Sequence, residues 1–469
     1  MLATSFLQQA DFLRILYIVA FALFIYGLSG LTGPRTAVRG NRIAAVGMAI
    51  AVIATLLDRG EGNWALIVIG VALGTAIGVP AARRVRMTAM PQMVALFNGV
   101  GGGAVFLIAW AEFRNTGGYR GEPTYFAVFS LFAAIIGSVS FWGSNIAFGK
   151  LQELLPGRPI TLGRSQQLVN GVIAAAAVAC AVAIVAGSHS QLIFVLMLIA
   201  AAILGNLVVL PIGGADMPVV ISLLNACTGL AAAATGFELD SFVLIVSGAL
   251  VGASGTLLTM MMSRAMNRSL ANVLFGAFGQ VQAGAGTAAA YEGTVRSVTP
   301  EDVAIMLSYA HKVVVVPGYG MAVAQAQHAV RELADELEKK GVEVEYAIHP
   351  VAGRMPGHMN VLLAEANVPY PALKEMDDIN PEFPQTDVAL VIGANDVVNP
   401  AARNEPGSPI YGMPILNVDQ SRQVVVMKRS MATGFAGIDN PLFLDEKTAM
   451  LFGDAKESVL KLVSGVKAL

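Results

Sequence analysis

Between Arg164 and Arg264 the chain carries three charged residues, Asp216, Glu238 and Asp240. So long an interval with so little charge excludes a water-soluble fold, in which about a quarter of residues are charged. The whole chain of 469 residues is 55% hydrophobic and 13% charged. A helix needs about 20 apolar residues to cross the hydrocarbon of a bilayer. Apolar runs at about 12–31, 43–57, 64–80, 92–111, 125–148, 167–186, 192–210, 219–235 and 242–262 predict nine spans, the second of them short. The first run has no basic leader and no small-residue cleavage site, and reads as a retained span. Cys180 and Cys227 both lie in apolar runs and read as packing residues, not a disulfide framework. A net charge of −2 points to no nucleic-acid partner.

Loop charge sets the orientation of a polytopic chain. One side holds Arg35, Arg39, Arg42, Arg83, Arg84, Arg86, Lys150, Arg158, Arg164, Arg264 and Arg268. The other holds Arg14, Arg59, Arg114 and Arg120. The richer side is expected in the cytoplasm, which puts the N-terminus outside and the C-terminus inside. Runs such as Gly99–Gly103 and Ala174–Ala177 suit close helix packing. Polar residues within spans must find partners or line a wet path. Candidates are Asn98, Ser144, Asn145, Asn206 and Asn225, with Asp216 in a turn at Pro211–Pro218. The five histidines, His189, His311, His328, His349 and His358, all fall outside the spans, so a proton path would lack the usual neutral-pH carrier. No metal site is expected.

Residues 1–262 are thus expected to form the membrane domain, 263–310 a Gly- and Ala-rich linker, and 311–469 a soluble domain. The soluble part alternates strands and helices. Strands are predicted at about 312–316, 342–348, 387–392, 414–418, 423–427 and 448–452. A helix is predicted over 321–340, with Val323, Val330, Leu333 and Leu337 on its apolar face, a Glu336–Lys340 pair and Gly341 at its C-cap. Asp454 can cap a last helix ending near 468. This order predicts a doubly wound, Rossmann-like parallel sheet. The first strand–helix turn, Gly318-Tyr-Gly320-Met-Ala-Val323, fits a dinucleotide fingerprint with Val in the third place. The similar Gly284–Ala289 lacks a preceding strand. The second strand ends in His349-Pro350 with Arg354 beyond, where an NAD site usually carries an acid. Lys428-Arg429-Ser430, at the end of a later strand, suits a 2′-phosphate. These features favour NADP(H).

With these motifs in view the chain resembles, over essentially its whole length, the β subunits of bacterial proton-translocating NAD(P) transhydrogenases. The resemblance is carried by Pro317-Gly-Tyr-Gly-Met-Ala-Val-Ala-Gln-Ala326, Ile348-His-Pro-Val-Ala-Gly-Arg-Met-Pro-Gly-His358, Ile392-Gly-Ala-Asn-Asp396, Met427-Lys-Arg-Ser430 and Phe452-Gly-Asp-Ala-Lys456. Gly213-Gly-Ala-Asp-Met-Pro218 and Phe148-Gly-Lys150 match in the membrane part. It implies Re/Si-specific hydride transfer between NAD(H) and NADP(H), coupled to proton movement across a bacterial inner membrane. It also implies an α subunit that holds NAD(H), and a dimer of α–β units. The nucleotide contacts it implies here are Tyr319, Val351, Ala352, Gly353, Arg354, Met355, Pro356, Gly393, Ala394, Asn395, Asp396, Val397, Gly412, Met413, Lys428, Arg429, Ser430, Met431, Ala432, Thr433, Gly434, Phe435, Asp454 and Ala455.

Asp396 matches an acid that the family links to proton coupling. The family also holds its nucleotide reversed relative to ordinary Rossmann domains, which takes the usual pyrophosphate role from the Gly318 turn. Asn98 stands where many members have a histidine, and some relatives supply that histidine from the partner subunit. The expected proton path here comprises Asn98, Ser144, Asp216 and Asn225. A channel gated by a nucleotide-sensing domain would share the overall plan, but no filter sequence like TVGYG occurs.

Overall fold

The structure, a computed structural model, describes residues 10–30, 34–57, 63–85, 89–152, 154–156, 159–213, 216–265, 295–353, 357–406, 408, 410–434 and 436–469. Among these, nine helices are long and apolar enough to cross a membrane. They are α1 Ala10–Gly30, α2 Pro34–Leu56, α3 Trp64–Arg84, α4 Met90–Asn115, α5 Thr124–Leu151, α6 Gln166–Val185, α7 Gln191–Val209, α8 Met217–Glu238 and α9 Phe242–Ala265. The nine expected spans are all present. The second is not short: α2 starts at Pro34, which favours the first turn of a helix. Arg39 and Arg42 are therefore helical and not in a loop. Lys150 is not a solvated loop charge either. It is 3% exposed and donates to the main-chain carbonyls of Leu210 and, at 2.8 Å, Ile212.

Glycine sets the closest approaches between spans. A Cβ on Gly102 of α4 would meet the Gly137 carbonyl of α5 at 2.8 Å, and one on Gly137 would meet the Gly102 carbonyl at 2.8 Å. With no side chain between them the backbones touch, which is how small residues hold helices together in lipid. Helix α3 buries none of its residues.

The C-terminal part is a six-stranded parallel sheet of order β3-β2-β1-β4-β5-β6. Its strands are β1 Lys312–Pro317, β2 Glu343–Ile348, β3 Leu373–Glu375, β4 Val388–Ile392, β5 Gln423–Lys428 and β6 Thr448–Phe452. The doubly wound expectation holds, with β1 and β4 as central neighbours. Membership differs at one strand. Residues 414–418 form no strand, and Leu373–Glu375 takes the edge place. Pro414 has no N–H for a ladder, whereas the three-residue edge strand is too short to show alternation.

After α10 Pro300–Ser308, the helix expected over 321–340 is two, α11 Tyr319–Val323 and α12 Gln327–Lys339, broken at Gln325 with φ 49°. Val330, Leu333 and Leu337 are buried, but Val323 is 45% exposed. Glu336 pairs with Lys339 at 2.8 Å, one position short of the expected Lys340. Asp454 caps the last helix, α13 Ala455–Ala468, accepting from Lys456 N at 3.0 Å and Glu457 N at 3.3 Å.

Two cores flank the sheet. One joins Val303, Leu307, Val330, Leu333, Leu337 and Leu462; the other joins Val314, Phe383, Val391, Leu416 and Phe443. The segment before β1 belongs to this unit. Val298 N donates to Met450 O at 3.0 Å along β6, and Thr299 and Asp302 form a reciprocal capping box at the start of the Pro300–Ser308 helix.

Candidate functional site

Ligands of open α/β sheets bind beyond the carboxyl ends of the strands, where strand order reverses. That point lies here between β1 and β4. The Gly318 turn is closed against the loop after β4. Gly318 N donates to Ile392 O and Gly320 N to Gly393 O, each at 2.9 Å. A Cβ on Gly320 would meet Gly393 Cα at 2.7 Å. Gly393 itself has φ 67°. The Gly318 and Gly320 amides, which a phosphate-cradling turn would offer, are already spent on Ile392 and Gly393. The fingerprint here is a joint between two turns, and α11, of five residues, is too short for a strong N-terminal dipole.

The expected nucleotide residues form two groups along the edge. Over β4 and β5, Asn395, Met431, Ala432 and Thr433 line an open cleft of about 260 Å³ with Ile438, Asp439, Asn440, Phe443 and Leu444. Asp396 accepts from Ala436 N at 3.0 Å, and a Cβ on Gly434 would collide with the Asp396 carboxylate. Ala394 is buried, Val397 accepts from Leu416 N at 2.9 Å, and Met413 packs against the core of Ala402, Ile410 and Ile415. Gly412, with φ 78°, turns the chain there and donates to Ala402 O at 2.8 Å.

Lys428 does not stand free as a clamp. Its ammonium donates to Ala432 O at 2.6 Å and lies 4.7 Å over the Phe443 ring. Burial lowers its pKa, and the Asp396 and Asp439 carboxylates oppose that. Arg429 and Ser430 are exposed, and Arg429 joins no ion pair among the described residues.

Over β1 and β2, Tyr319 faces the His358 ring with centroids 6.5 Å apart. Val351, Ala352 and Gly353 form the turn after β2. Val351 N donates to His349 Nδ1 at 3.2 Å and Ala352 N to His349 O at 3.1 Å. His349 is no cationic phosphate ligand. It is 2% exposed, and burial lowers its pKa to about 4. Its Nε2 meets Pro414 O at 2.8 Å, so the neutral ring donates from Nε2, accepts at Nδ1 and ties the two loops together. Arg354, Met355, Pro356 and Phe435 lie outside the described residues, as does Gly284–Ala289. Asp454 and Ala455 sit apart at β6, where the Asp454 carboxylate is engaged in capping.

In the membrane part Asn98 and Ser144 come together. Asn98 is 8% exposed and donates from Nδ2 to Ser144 Oγ at 2.8 Å and to Ser140 Oγ at 3.3 Å. Ser140 continues to Leu224 O at 3.1 Å and to Thr228 Oγ1 at 2.5 Å, which links α4, α5 and α8. Asn98 Oδ1 is buried with no hydrogen-bond partner among the described residues. Asn225 is half-buried on α8, outside this network, and Asp216 is the N-cap residue of α8. Asn145 bonds within its own helix, to Phe141 O at 2.9 Å.

A family model described as NAD(P) transhydrogenase beta subunit matches residues 13–465. The chain belongs to this family. Two proteins of Rhodospirillum rubrum, each described as NAD(P) transhydrogenase subunit beta, are 50% identical to it over 458 residues. The alignments cover 96% of this chain and 98% of each relative.

As a transhydrogenase β subunit the chain is a membrane protein that takes part in hydride exchange between nicotinamide nucleotides. That chemistry asks a protein for position and exclusion of water, not for a nucleophile. The structure adds residues that sequence reasoning passed over. Ser140 and Thr228 are isolated hydroxyls in apolar runs. Asn440 joins the edge by donating to Asn395 O at 3.2 Å and Asn395 Oδ1 at 3.1 Å. Its signal was the Asn440-Pro441 pair, which starts a short 3₁₀ turn.

Proposed function

We propose that this chain is the NADP(H)-binding, proton-conducting subunit of a Re/Si-specific transhydrogenase that couples hydride transfer between NAD(H) and NADP(H) to proton movement. The observation that carries the nucleotide assignment is the exposed, unpaired Arg429 beside the cleft over β4 and β5. A free guanidinium can hold a 2′-phosphate in a bidentate pair, while Lys428 braces the loop beneath it. The cleft is smaller than the roughly 300–1,000 Å³ of typical ligand sites, so it fits one end of an extended dinucleotide. The remainder would run along the edge past Asn395, Asp396 and the Val351–Gly353 turn, with Ser430, Met431–Gly434, Gly412-Met413 and Tyr319 at its margins; Arg354, Met355, Pro356, Phe435, Asp454 and Ala455 are further expected contacts. When bound, NADP(H) supplies the carbon that accepts or donates hydride. Asp396, at the mouth of β4, would hold the proton that links nucleotide state to the membrane.

Residues 1–262 would form the proton-translocating domain, and the soluble unit would include the described segment from 295, whose Arg296 and Val298 backbones pair with Met450 of β6. A separate α subunit would bring NAD(H), and two α–β units would form the complex. The exposed faces of α3 leave room for further helices; a Cβ on Gly70, Gly74 or Gly78 would meet nothing within 4 Å. The setting is a bacterial inner membrane, with the N-terminus outside and the nucleotide domain in the cytoplasm. Arg83, Arg84 and Arg264, in the last turns of α3 and α9, support that orientation. Asn98, Ser144, Asn225 and Asp216 would line the proton path. Asparagine cannot carry a proton, so Asn98 would orient water or a titratable group from the α subunit.

Equilibrium binding of NADP⁺ and NAD⁺ to residues 295–469 tests the nucleotide assignment. NADP⁺ should bind more tightly. Arg429→Ala should weaken it about 10- to 150-fold, the cost of removing a charged hydrogen bond, with little effect on NAD⁺. Equal losses for both would show that Arg429 does not read the 2′-phosphate.

A further inference from the structure

We propose that Glu238 is the outer proton-binding group of this chain, a carboxyl that takes up a proton at the end of α8 opposite Asp216. The inference rests on the reading that the membrane helices conduct protons. Glu238 is 5% exposed, one of only three charged residues between Arg164 and Arg264. A carboxylate so removed from water is costly unless it is paired or used. No cation pairs with it among the described residues. Its neighbours are hydroxyls: Ser130 of α5 donates to Glu238 Oε1 at 2.5 Å, and Tyr119 lies 2.6 Å from Ser130 Oγ. The single Ser130 proton goes to Glu238, so Tyr119 donates to Ser130, and the chain of donors ends on the carboxylate. Burial holds the Tyr119 phenol above its ordinary pKa, so it stays a donor. Ser130 and Tyr119 are themselves 0% and 7% exposed. Glu238 Oε2 is buried with no hydrogen-bond partner among the described residues, which leaves one oxygen placed to take a proton.

The position suits the role. Helix α8 has 22 residues, about 33 Å at 1.5 Å each, against a hydrocarbon core of about 30 Å. Asp216 and Glu238 therefore mark its two ends. Helices α5 and α8 run antiparallel and touch through polar groups at two levels, Ser140 with Thr228 and Ser130 with Glu238. The levels are ten residues apart on each helix, about 15 Å. Between them lie Val105, Ala133, Ala231 and Ala234, so passage inward needs water to enter transiently among small side chains. Protonation forms one O–H bond on the carboxylate, and release restores it, with no electron transfer. The other carboxylate whose charge reaches Glu238 is Glu112 of α4. Arg114, Arg120, Glu122, His189 and Asp240 lie at exposed positions of the same end, and α5 and α9 bring no charged group to it.

The test uses the full chain with its α subunit in sealed vesicles, following hydride transfer and proton pumping together. Glu238→Gln keeps the shape and the acceptor for Ser130 but cannot titrate. Pumping should fall on the order of 100-fold, the scale of a lost proton-transfer group, and its pH profile should flatten. Glu238→Asp should recover part of the rate. Infrared difference spectra of the wild type should show a carboxylic C=O band that titrates with pH and is absent in Glu238→Gln. Pumping and pH profile unchanged in Glu238→Gln, or a titrating band that survives it, would overturn the assignment while leaving the transhydrogenase reading intact. A wild type that moves no protons would overturn both.

Discussion

Replacing the glycines where the two sheet-edge turns meet separates a structural joint from a phosphate cradle. Gly320→Ala adds a Cβ 2.7 Å from Gly393 Cα, with backbone and not a flexible side chain as its neighbour. Overpacking of that kind costs about 1–3 kcal/mol. Gly393→Ala meets the Gly320 backbone from the other side and also forces alanine to φ 67°. The left-handed conformation adds about 1–2 kcal/mol, for a total of about 2–5. A domain of this size loses about 2–4 °C of Tm per kcal/mol. Thermal unfolding of residues 295–469 should therefore drop by about 2–12 °C for Gly320→Ala and about 4–20 °C for Gly393→Ala. NADP⁺ affinity, measured below both transitions, should change less than about threefold for Gly320→Ala, because the Gly318 and Gly320 amides already serve Ile392 and Gly393. An unchanged Tm with a tenfold loss of NADP⁺ affinity would show that these amides hold phosphate after all.

Three further outcomes follow from the geometry. Asn98→Leu deletes both donors to Ser140 and Ser144 and should reduce proton pumping and reverse transhydrogenation together, while NADP⁺ binding to residues 295–469 stays unchanged; pumping that survives would place the path elsewhere. Asp396→Asn should fold and still bind nucleotide but lose the response of hydride transfer to a proton gradient, and retained coupling at the wild-type rate counts against the role. His349 has a folded pKa of about 4 against about 6.5 in an unfolded chain. As pH falls from 6.5 to 4 the unfolded state takes up a proton that the folded state refuses, so stability falls by on the order of 3 kcal/mol. His349→Gln should flatten that slope in urea unfolding of residues 295–469, and an identical slope would show that His349 is not buried neutral.

The spans were legible because hydrocarbon demands a long apolar run, a signal that neighbours do not disturb. The central strands were legible for a related reason: β1, β4 and β5 are buried on both faces and read as apolar runs of Val, Ala, Ile, Leu and Met. The edge was not. Leu373–Glu375 is too short to carry a period, and 414–418 has strand composition but spends its hydrogen bonds on loops, as Leu416 N does on Val397 O. The Gly318 turn was recognisable as a fingerprint. Its use was not, because what closes it is Gly393, 73 residues on from Gly320 in the chain and one strand away in space. Lys428 and Arg429 were read as one clamp. Only coordinates separate the ammonium tied to Ala432 from the guanidinium left free. Glu238 was visible as a rare charge near the end of a span, but its partners Ser130 and Tyr119 come from another helix and a loop.

The proposed function turns on one coupling, between proton entry through the helices and hydride transfer at the edge of the sheet. It is measured most directly with this chain and its α subunit in sealed vesicles, by following NADPH formation from NADH and NADP⁺ under an imposed proton gradient. The rate should rise when the gradient drives protons toward the nucleotide domain and fall back when a protonophore collapses it. Hydride transfer indifferent to the gradient, or none at all with both nucleotides present, would contradict the account.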